Sequence, residues 1–536
     1  MGGAPRRRVL AAWLTALSCL ATLASGRRGQ RIKTGFGGDG SYEYTDNITP
    51  AFTSDLCRER GNVYRGPYLQ SSGPTRTVVR WSSDSRGVGV VCFGRSPGAM
   101  FEVAASPRGE DGGSDHEVVL EDLVPGTEYY YTTAVVDDAT DLETRPSRDE
   151  ARTHVLSPSQ YHSFATFPEP GSPPEDPIRV WAIGDSGMGD YKARSVRDAF
   201  VNFTGGDWDL TLGLGDLAYS TGRYEEYQDK FFDHFREQNA RIPVFTTPGN
   251  HDRPTSDLWS QTGPYFDLFT NPGDGKSGGV PSNHKSYYSF DYGPVHFVSV
   301  DSDRLGLEDD PGLYEWLEKD LSEARKLGRY KWIVAYHHQP PYSKGSHDSD
   351  AQYECFKLRT NLVPMFEKYG VDLVLAGHSH SYERSHLLNG HFGSSGEIRS
   401  NPTLIKATWA RDGEGVDTLV KNGDGPHSGT VYIVTGSGAR TSGGSLNHPV
   451  MARSQNSLGS LLLEFDPSGR SLDVIHVGSA PGEVLDRATI VKTPRGAWEE
   501  AWEEALGSGG DQVSFKEEGD EASVFAWEEV VKADEG

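Results

Sequence analysis

A short apolar run ends on a glycine and a carboxylate in Ile178-Arg179-Val180-Trp181-Ala182-Ile183-Gly184-Asp185-Ser186-Gly187. This pattern is the main indication of the fold. Four later segments have the same build, in which an apolar run leads into polar side chains. Their polar blocks are Gly215-Asp216-Leu217-Ala218-Tyr219, Gly249-Asn250-His251-Asp252, Ala335-Tyr336-His337-His338-Gln339-Pro340 and Gly377-His378-Ser379-His380. Short apolar runs of this kind are typical of buried parallel strands.

Segments with helical periodicity lie between the apolar runs, for example Arg194 to Phe203 and Leu313 to Ala324. Alternating strands and helices predict an α/β domain with parallel strands. Ligand sites in open α/β sheets gather at the carboxyl ends of the strands. We therefore expect the five polar blocks to meet at one edge of a sheet, where the glycines that open most of them suit sharp turns.

The five blocks supply carboxylate, phenol, amide and imidazole groups. A phenolate with carboxylates favours a trivalent or strongly Lewis-acidic ion, whereas an amide with two histidines suits a divalent ion. The candidate metal ligands are Asp185, Asp216, Tyr219, Asn250, His338, His378 and His380. Asp216 is the natural bridge between two ions. This donor set predicts hydrolysis of a phosphate ester.

The blocks resemble the metallophosphoesterase superfamily and, within it, the purple acid phosphatases, whose pattern GDxG, GDxxY, GNH(E/D), VxxH and GHxH is met with one substitution. The resemblance extends roughly from Gly66 to Asp473. It implies an α/β fold, a metallophosphoesterase β-sandwich with flanking helices built from βαβαβ units. The implied ligands are Asp185, Tyr219, His380 and the bridging Asp216 for Fe(III), and Asn250, His338, His378 and the same bridge for Fe(II), Zn(II) or Mn(II).

Three positions set the chain apart from its relatives. Many superfamily members, including serine/threonine protein phosphatases and cyclic-nucleotide phosphodiesterases, have Asp-x-His at the first block, but here Gly187 occupies the place of the histidine and Tyr219 takes over its role. The protein phosphatases also carry an arginine four residues after the bridging aspartate. Ser220 stands there in this chain, which argues against a site dedicated to phosphoproteins. Asp252 replaces the commoner glutamate, and we expect this change to leave activity intact.

Four histidines have roles that the pattern does not fully settle. His337 and His338 compete for one ligand position, and the register of the strand favours His338, since neighbours in a strand point to opposite faces. The resemblance assigns contacts with the phosphate to His251 and His347. The alternative is an ordinary surface or turn histidine, and it is stronger for His347, which lies in the polar loop from Lys344 to Asp350.

The resemblance implies an acid phosphatase that releases inorganic phosphate from small phosphate monoesters. A metal-bound hydroxide would attack phosphorus, His251 would hold phosphoryl oxygens, and His347 would protonate the leaving alkoxide. A phosphodiesterase or nucleotide pyrophosphatase with the same metals is the alternative enzyme. A non-catalytic secreted binding protein is the contrasting class, which a full ligand set disfavours. The oligomeric state is not predictable from the sequence.

The amino terminus predicts secretion. Residues 1–26 combine three arginines, an apolar run from Val9 to Leu23 and a small-residue exit, which is typical of a cleaved signal peptide. The run is shorter than the roughly 20 residues of a spanning helix, so we expect no membrane partner. Asn47 and Asn202 open glycosylation sequons. Together these features favour an extracellular location or a secretory-pathway compartment such as a vacuole.

Charge and cysteine content add two further expectations. The formal net charge of −25 repels nucleic-acid phosphates, so we expect no nucleic-acid partner. Because Cys19 lies in the predicted signal peptide, Cys57, Cys92 and Cys355 remain. An odd number permits one bridge with a free thiol, or a link between chains, and the sequence does not choose.

The region before the five polar blocks has a different sequence pattern. Short alternating strands, such as Thr77 to Trp81 and Glu128 to Val135, predict an all-β unit. The turn from Leu123 to Tyr129 resembles that of fibronectin type III domains, with a tyrosine tying the corner, and Gly66 to Gln70 resembles the opening of this module in purple acid phosphatases. The expected divisions are an extension at 27–64, a fibronectin type III-like domain at 65–167, a catalytic domain at 178–420, a carboxyl-terminal region at 428–492 and an acidic tail at 496–536.

Overall fold

The structure is a computed structural model that describes residues 51–54, 57, 62–106, 114–136, 154–156, 160–307, 310–413 and 415–493. The predicted signal peptide, most of the extension, Asn47 and the acidic tail lie outside the described residues. Within the described residues, the helices are too short or too polar to cross a bilayer.

Short strands make up the amino-terminal part of the described chain. They are β1 (Ala51–Thr53), β2 (Val63–Gln70), β3 (Thr77–Ser83), β4 (Val88–Gly94), β5 (Glu102–Ala105), β6 (Asp115–Leu120), β7 (Glu128–Val136), β8 (His154–Leu156) and β9 (His162–Ala165). A three-stranded sheet, β2-β3-β6, and a four-stranded sheet, β5-β4-β7-β9, enclose a core that includes Trp81, Val118 and Phe164. The region is rich in strands, as the sequence predicts, while its fibronectin type III character stays a prediction.

Two details of this region bear on the sequence analysis. The hydroxyl of Tyr129 accepts a hydrogen bond from the backbone N–H of Val124 at 3.0 Å, so the tyrosine does tie the corner. Cys57 and Cys92 form a disulfide, and Cys355 is a buried free thiol. The structure therefore selects one bridge with one free thiol from the pairings that the sequence leaves open.

The larger part of the chain alternates strands and helices. The strands are β10 (Ile178–Ile183), β11 (Leu210–Gly213), β12 (Val244–Thr246), β13 (Tyr288–Tyr292), β14 (Val295–Ser299), β15 (Trp332–His337), β16 (Leu373–Ala376), β17 (Tyr382–Ser385), β18 (Leu387–Leu388), β19 (Ile405–Ala407), β20 (Ala410–Arg411), β21 (Asp417–Asn422), β22 (Val431–Thr435), β23 (Met451–Gln455), β24 (Gly459–Phe465), β25 (Ser471–Gly478) and β26 (Val484–Thr493). The helices are α1 (Tyr191–Thr204), α2 (Tyr224–Tyr227), α3 (Arg236–Asn239), α4 (Pro264–Leu268), α5 (Ser302–Leu307), α6 (Pro311–Leu327), α7 (Tyr353–Lys357), α8 (Val363–Lys368) and α9 (Ser395–Ser400).

These strands form two packed sheets with a shared core. One sheet has the order β12-β11-β10-β24-β25-β26-β21-β20, and the other has the order β13-β14-β15-β16-β22-β17-β23. Val180 and Leu212 of the first sheet share a core with Val334 and Leu375 of the second. The predicted runs are parallel strands, but they divide between the two sheets instead of following one open sheet. A strand buried on both faces has the same apolar sequence pattern in one open sheet as in two packed sheets. The pattern therefore could not show how the strands are distributed between the sheets.

Helices cover the outer faces of the sandwich. In α1, Phe200 stacks on Trp181 of β10 with ring centroids 4.4 Å apart. This helix begins after Asp190, whose carboxylate accepts the N–H groups of Lys192 and Ala193. On the other sheet, Leu321 of α6 packs in a core that also contains residues of β15. Both helices lie where the periodicity predicts them.

A buried charged cluster anchors α6 to the β13–β14 hairpin. His296 of β14 is 2.7 Å from the carboxylate of Asp291 through Nδ1 and 2.9 Å from the carboxylate of Asp320 through Nε2. Burial lowers the pKa of His296, but the two carboxylates outweigh it and raise the pKa to about 10. His296 is therefore a buried imidazolium between two carboxylates. No local motif in the sequence indicates this cluster.

The amino-terminal sheets lie against the larger part of the chain through side-chain hydrogen bonds to backbone carbonyls. Tyr68 of β2 donates to the carbonyl of Leu268 at 2.8 Å, and Tyr131 of β7 donates to the carbonyl of Ala240 at 2.7 Å. Arg80 of β3 donates to the carbonyl of Asp267 at 2.7 Å. The amino-terminal region is therefore a packing partner of the larger part.

Candidate metal centre

Sharp turns follow β10, β11 and β16 and present polar side chains at the carboxyl ends of these strands. Asp185, Asp216 and His378 occupy the turns with φ angles of 57°, 54° and 65°. Non-glycine residues seldom adopt this left-handed conformation, and where they do, they cluster at functional sites. The two sheets thus contribute strained turns to the same end of the sandwich.

Three of the predicted ligands form a first donor group. The hydroxyl of Tyr219 is 2.9 Å from Asp185 Oδ1 and 3.1 Å from His380 Nε2. His380 Nε2 is 3.4 Å from the same carboxylate oxygen of Asp185. All three side chains are buried, so a carboxylate, a phenol and an imidazole converge on one small volume.

A second donor group lies beside the first. Asn250 Oδ1 is 2.9 Å from His378 Nδ1 and 3.1 Å from His338 Nε2. His338 Nε2 is also 3.4 Å from Asp216 Oδ1. The carbonyl of Leu214 accepts a hydrogen bond from His338 Nδ1 at 2.8 Å, which leaves Nε2 free to serve as a ligand.

Asp216 joins the two groups. Its carboxylate lies 3.4 Å from His338 of the second group and, together with burial and Asp185, raises the pKa of Tyr219 of the first. Potential ligand atoms of Asp185, Asp216 and His338 all lie within 4.8 Å of one another. The structure thus brings together the seven candidate ligands, with Asp216 between the two groups, and their binding of metal stays a prediction.

The donor separations fit bound ions. Ligands held at about 2.1 Å from one ion stand about 3.0 Å apart at right angles and about 3.4 Å apart at tetrahedral angles. The separations within the two groups run from 2.9 to 3.4 Å. A Cβ at Gly249 would lie 2.3 Å from Asp216 Oδ1, so the backbone of Gly249 packs directly against the carboxylate of Asp216. The side chains present are therefore compatible with a binuclear centre.

Asp216 and His338 form a charged pair. Burial opposes the charge on both, but the carboxylate raises the pKa of His338 to about 10, and His338 in turn holds the pKa of Asp216 below its usual range. An imidazole must lose its proton before it binds a metal. The pair therefore couples metal binding at this position to release of a proton.

The backbone leaves no space for a side chain at Gly187. A Cβ at this position would lie 2.3 Å from the carbonyl carbon of Leu217 and 2.4 Å from the backbone nitrogen of Ala218. The carbonyl of Gly187 accepts the N–H of Tyr219 at 2.9 Å. A histidine is sterically excluded at this position, and the phenol of Tyr219 lies within the first donor group instead.

His337 and His338 point in opposite directions, as the strand register predicts. His338 belongs to the second donor group, whereas His337 faces Phe366 with ring centroids 6.3 Å apart. His337 is fully buried, and neither of its ring nitrogens has a hydrogen-bond partner among the described residues. Burial lowers its pKa to about 4, so it is neutral.

His251 and His347 flank the two donor groups. His251 Nδ1 donates to the carbonyl of Ser220 at 2.7 Å, and its ring lies 4.4 Å from the ring of Tyr219. The ring of His347 lies 3.8 Å from the ring of His378. Both histidines are thus near enough to meet a group bound at the candidate centre, and their roles stay predictions.

Gln352 is a residue that the sequence analysis missed. Its side-chain amide donates to His347 Nδ1 at 2.5 Å, while the thiol of Cys355 lies 3.6 Å from the amide oxygen. A ring nitrogen that accepts a hydrogen bond carries no proton in the neutral ring, so the proton of His347 resides on Nε2. Glutamine at the start of a short helix has no signature in a sequence.

Two carboxylates hold the loop that carries His347. Glu383 accepts the hydroxyl of Ser343 at 2.5 Å and the N–H of Lys344 at 3.1 Å. Asp350 accepts the hydroxyl of Ser395 at 2.5 Å and pairs with Lys344 at 3.0 Å. These contacts join distant parts of the chain, which explains why motif spacing did not reveal them.

Asp252 ties the second block to the third. Its buried carboxylate accepts the N–H groups of Gly249 at 2.9 Å and Leu217 at 3.1 Å, and the hydroxyl of Tyr227 at 2.7 Å. Burial and the nearby Asp216 raise the pKa of Asp252 to about 7. Asp252 therefore braces the turns of the site without entering either donor group.

The predicted glycosylation residue that the structure describes is Asn202. Its side chain is exposed in the last turn of α1. The hydroxyl of Thr204, the third residue of the sequon, donates to the carbonyl of Phe200 at 3.0 Å. Modification of Asn202 stays a prediction.

Comparisons with known proteins agree with this geometry. Residues 178–382 match the family model described as calcineurin-like phosphoesterase. The chain is 28% identical over 398 residues to an uncharacterized protein of Mycobacterium tuberculosis, which covers 68% of this chain and 70% of that protein. It is 30% identical over 298 residues to purple acid phosphatase 23 of Arabidopsis thaliana, covering 50% of this chain and 57% of that protein. A purple acid phosphatase from yellow lupin (Lupinus luteus) seeds has a similar fold, with a TM-score of 0.61, 19% identity, and coverage of 85% of this chain and 78% of that one.

Proposed function

We propose that the chain, whose residues 178–382 match the calcineurin-like phosphoesterase model and which is similar to purple acid phosphatases, is a secreted acid phosphatase. It hydrolyses small phosphate monoesters and releases inorganic phosphate. The observation that carries the proposal is the pair of donor groups joined at Asp216, one of which contains Tyr219. A phenol among carboxylate and imidazole donors favours a trivalent ion beside a divalent one.

The proposed metal assignment follows the two donor groups. Asp185, Tyr219, His380 and Asp216 would hold Fe(III), and Asn250, His338, His378 and Asp216 would hold Fe(II), Zn(II) or Mn(II). When bound, these ions would supply Lewis acidity toward the phosphoryl oxygens and an activated water.

The chain's own side chains bind and orient the ester. The hydrogen bond from His251 Nδ1 to Ser220 fixes that ring, so that Nε2 of the protonated ring can donate to a phosphoryl oxygen. Gln352 holds the ring of His347 through Nδ1, and the protonated form of this ring can pass its Nε2 proton to the departing oxygen. Both rings are thus oriented through Nδ1, and both present Nε2 to the ester.

The test of the proposed function combines metal content with a substrate panel. The purified full chain should contain two metal ions and release phosphate from glycerol 2-phosphate faster than it cleaves bis(4-nitrophenyl) phosphate, between pH 4 and pH 8. Faster cleavage of the diester would identify a phosphodiesterase instead. Fewer than two bound ions without hydrolysis of either ester would identify a non-catalytic binding protein.

The substitution Tyr219→Phe tests the iron assignment. A phenolate bound to Fe(III) absorbs visible light by charge transfer, so we expect the purified protein to be coloured and the variant to lose the band. Tyr336→Phe is the matched control, because Tyr336 is also buried but bonds to Tyr288. The measurement is the visible absorption spectrum together with iron content. A colourless, iron-free and fully active wild-type protein would refute the assignment.

The substitution Gln352→Leu tests the protonation role of His347. Without the amide, the ring of His347 loses the hydrogen bond at Nδ1 that fixes its orientation toward the leaving group. We expect kcat/KM for glycerol 2-phosphate to fall about 10- to 100-fold, as for loss of a group that orients a catalytic residue. The value for 4-nitrophenyl phosphate should change less than about threefold, because 4-nitrophenolate departs without a proton.

The control for this prediction is Gln238→Leu, a half-buried glutamine of α3. We expect it to affect neither ester. Equal loss of activity toward both esters in the Gln352→Leu variant would mean that Gln352 only supports the loop, and would contradict its role in placing the proton.

A further inference from the structure

A cavity of about 400 Å³ opens beside the candidate metal centre. Its walls include Arg253, Thr255 and Trp259 from the segment after the third polar block, and Asp303 and Arg304 from α5. This volume lies in the range of pockets that hold small organic ligands. None of these residues belongs to the two donor groups.

The inner wall of the cavity is bonded to the loops of the metal centre. Thr255 donates its hydroxyl to the carbonyls of Thr221 at 2.9 Å and Gly222 at 2.5 Å, in the loop after Tyr219. On the opposite side, Asp303 accepts the side-chain amide of Gln339, the neighbour of His338, at 2.9 Å. Burial raises the pKa of Asp303, whereas the positive charges of Arg253 and His338 lower it. His338 is therefore close enough to interact electrostatically with Asp303. The cavity wall is therefore bonded to the loop that follows Tyr219 and to the neighbour of His338.

Trp259 forms an aromatic face of the cavity. Its side chain is 51% exposed, although tryptophan is usually well buried. The guanidinium of Arg304 lies 3.7 Å from the ring centroid and supports it. Arg304 is itself fixed by His284 at 2.8 Å and by the carbonyl of Leu258 at 2.9 Å. A flat ring on such a support is suited to stack on an aromatic ligand.

Arg253 is the more exposed of the two arginines in the cavity wall, since Arg304 is buried and paired with Asp310. The side chain of Arg253 is 41% exposed and lies 3.4 Å from a carboxylate oxygen of Asp303. A guanidinium has five N–H donors, so this contact leaves donors for a second anion. The other acidic wall residue, Asp257, already accepts the N–H groups of Trp259 and Ser260 at 2.8 Å each. Arg253 is thus the wall residue that is best able to bind an added negative charge.

We propose that this cavity is a leaving-group subsite and that it accepts nucleoside diphosphates, an inference that rests on the proposed phosphatase function. The terminal phosphate lies at the metal centre, the inner phosphate meets Arg253, and the base stacks on Trp259. Water adds to the terminal phosphorus, the bond from phosphorus to the bridging oxygen breaks, and that oxygen leaves with the bonding electrons as part of the monophosphate. The proton of the water passes to the departing group or to solvent, so the products are a nucleoside monophosphate and inorganic phosphate.

The first test compares adenosine diphosphate with glycerol 2-phosphate as substrates. We expect Trp259→Ala and Arg253→Gln each to lower kcat/KM for adenosine diphosphate about tenfold, mainly through KM. The same variants should leave glycerol 2-phosphate within about twofold, because glycerol reaches neither residue. Trp259→Phe should restore most of the loss, since a phenyl ring also stacks.

Two matched controls accompany these variants. Phe101→Ala removes an exposed aromatic ring from the amino-terminal region, where Phe101 is 40% exposed. Arg411→Gln removes an exposed arginine that lies 3.6 Å from Asp417, a pairing similar to that of Arg253. Neither should affect either substrate.

The second test measures binding without turnover, so that failure of the subsite and failure of the phosphatase proposal are distinguishable. α,β-Methylene adenosine diphosphate should bind the wild-type protein in calorimetry. Its affinity for Trp259→Ala should be about tenfold lower, and its affinity for Trp259→Phe should be within about threefold of the wild-type value. Equal affinities for all three proteins, or equal loss of both substrates in the first test, would overturn the subsite. Absence of phosphate release from every ester would refute the phosphatase proposal alone.

Discussion

Asp216→Asn is expected to lower kcat/KM for phosphate monoesters by at least about a thousandfold and to reduce the metal content below two ions per chain. The reason is the proposed bridging role of Asp216, whose carboxylate lies 3.4 Å from His338 and helps to raise the pKa of Tyr219. An amide keeps the shape of the side chain but loses the charge that two cations would share. Metal catalysis supplies several kcal/mol of transition-state stabilisation, and each 1.36 kcal/mol is tenfold in rate. Phosphate release and metal analysis measure the two effects.

The control for this substitution is Asp301→Asn. Asp301 is also fully buried and follows β14, but it accepts the N–H of Arg304 at 3.0 Å and belongs to neither donor group. We expect this variant to retain its metals and to remain active. An Asp216→Asn protein with two bound ions and near-normal activity would contradict the bridging role.

His296→Leu is expected to reduce the free energy of unfolding by about 3–5 kcal/mol, because it leaves two buried carboxylates without their shared cation. Asp291 and Asp320 lie 2.7 and 2.9 Å from the imidazole nitrogens, and both are fully buried. The loss would remove one of the contacts between α6 and the β13–β14 hairpin, while the hydroxyl of Ser289 still donates to Asp320 at 2.6 Å. Urea unfolding followed by tryptophan fluorescence measures the effect. A loss under about 1 kcal/mol would show that the cluster does not stabilise this packing.

His476→Leu is the matched control for this substitution. His476 is also fully buried, but neither of its ring nitrogens has a hydrogen-bond partner among the described residues, and burial lowers its pKa to about 3. Its replacement should change stability by less than about 1 kcal/mol, because no buried charge is left unpaired.

The cluster of His296 also has a predicted pH dependence. The pKa of His296 rises from 6.5 in the unfolded chain to about 10 in the folded chain. A raised pKa means that the stabilisation is fully present below pH 6.5 and is lost as the pH rises through about 10. The stability difference between wild type and His296→Leu should therefore shrink between pH 7 and pH 10.

Much of the candidate site was predictable because the polar side chains of each block follow directly after a recognisable strand. The apolar run before Asp185 identifies a strand end, and a strand end identifies where its side chain points. The same reasoning places His338 in the site and His337 outside it, and the structure agrees. Roles that depend only on a residue and its nearest neighbours in sequence can thus be inferred from the sequence.

Features that depend on contacts between distant segments could not be predicted. Glu383 bonds to Ser343, which lies 40 residues away, and Asp350 bonds to Ser395, which lies 45 residues away. The apolar runs alone did not show that the parallel strands divide between two sheets, because a strand buried on both faces has the same pattern in either arrangement. The resemblance did imply this β-sandwich, and the structure has it. The pairing of Cys57 with Cys92 likewise required the fold.

The packing of Gly187 limits the routes by which this site could have diverged from its relatives. Because any Cβ at this position would overlap the backbone of Leu217 and Ala218, a histidine cannot appear there unless the following loop moves as well. A lone change of Tyr219 would remove one donor and find no replacement nearby. The glycine and the tyrosine therefore constrain each other, because a change at either position alone leaves the first donor group with one donor fewer or displaces the backbone beside it.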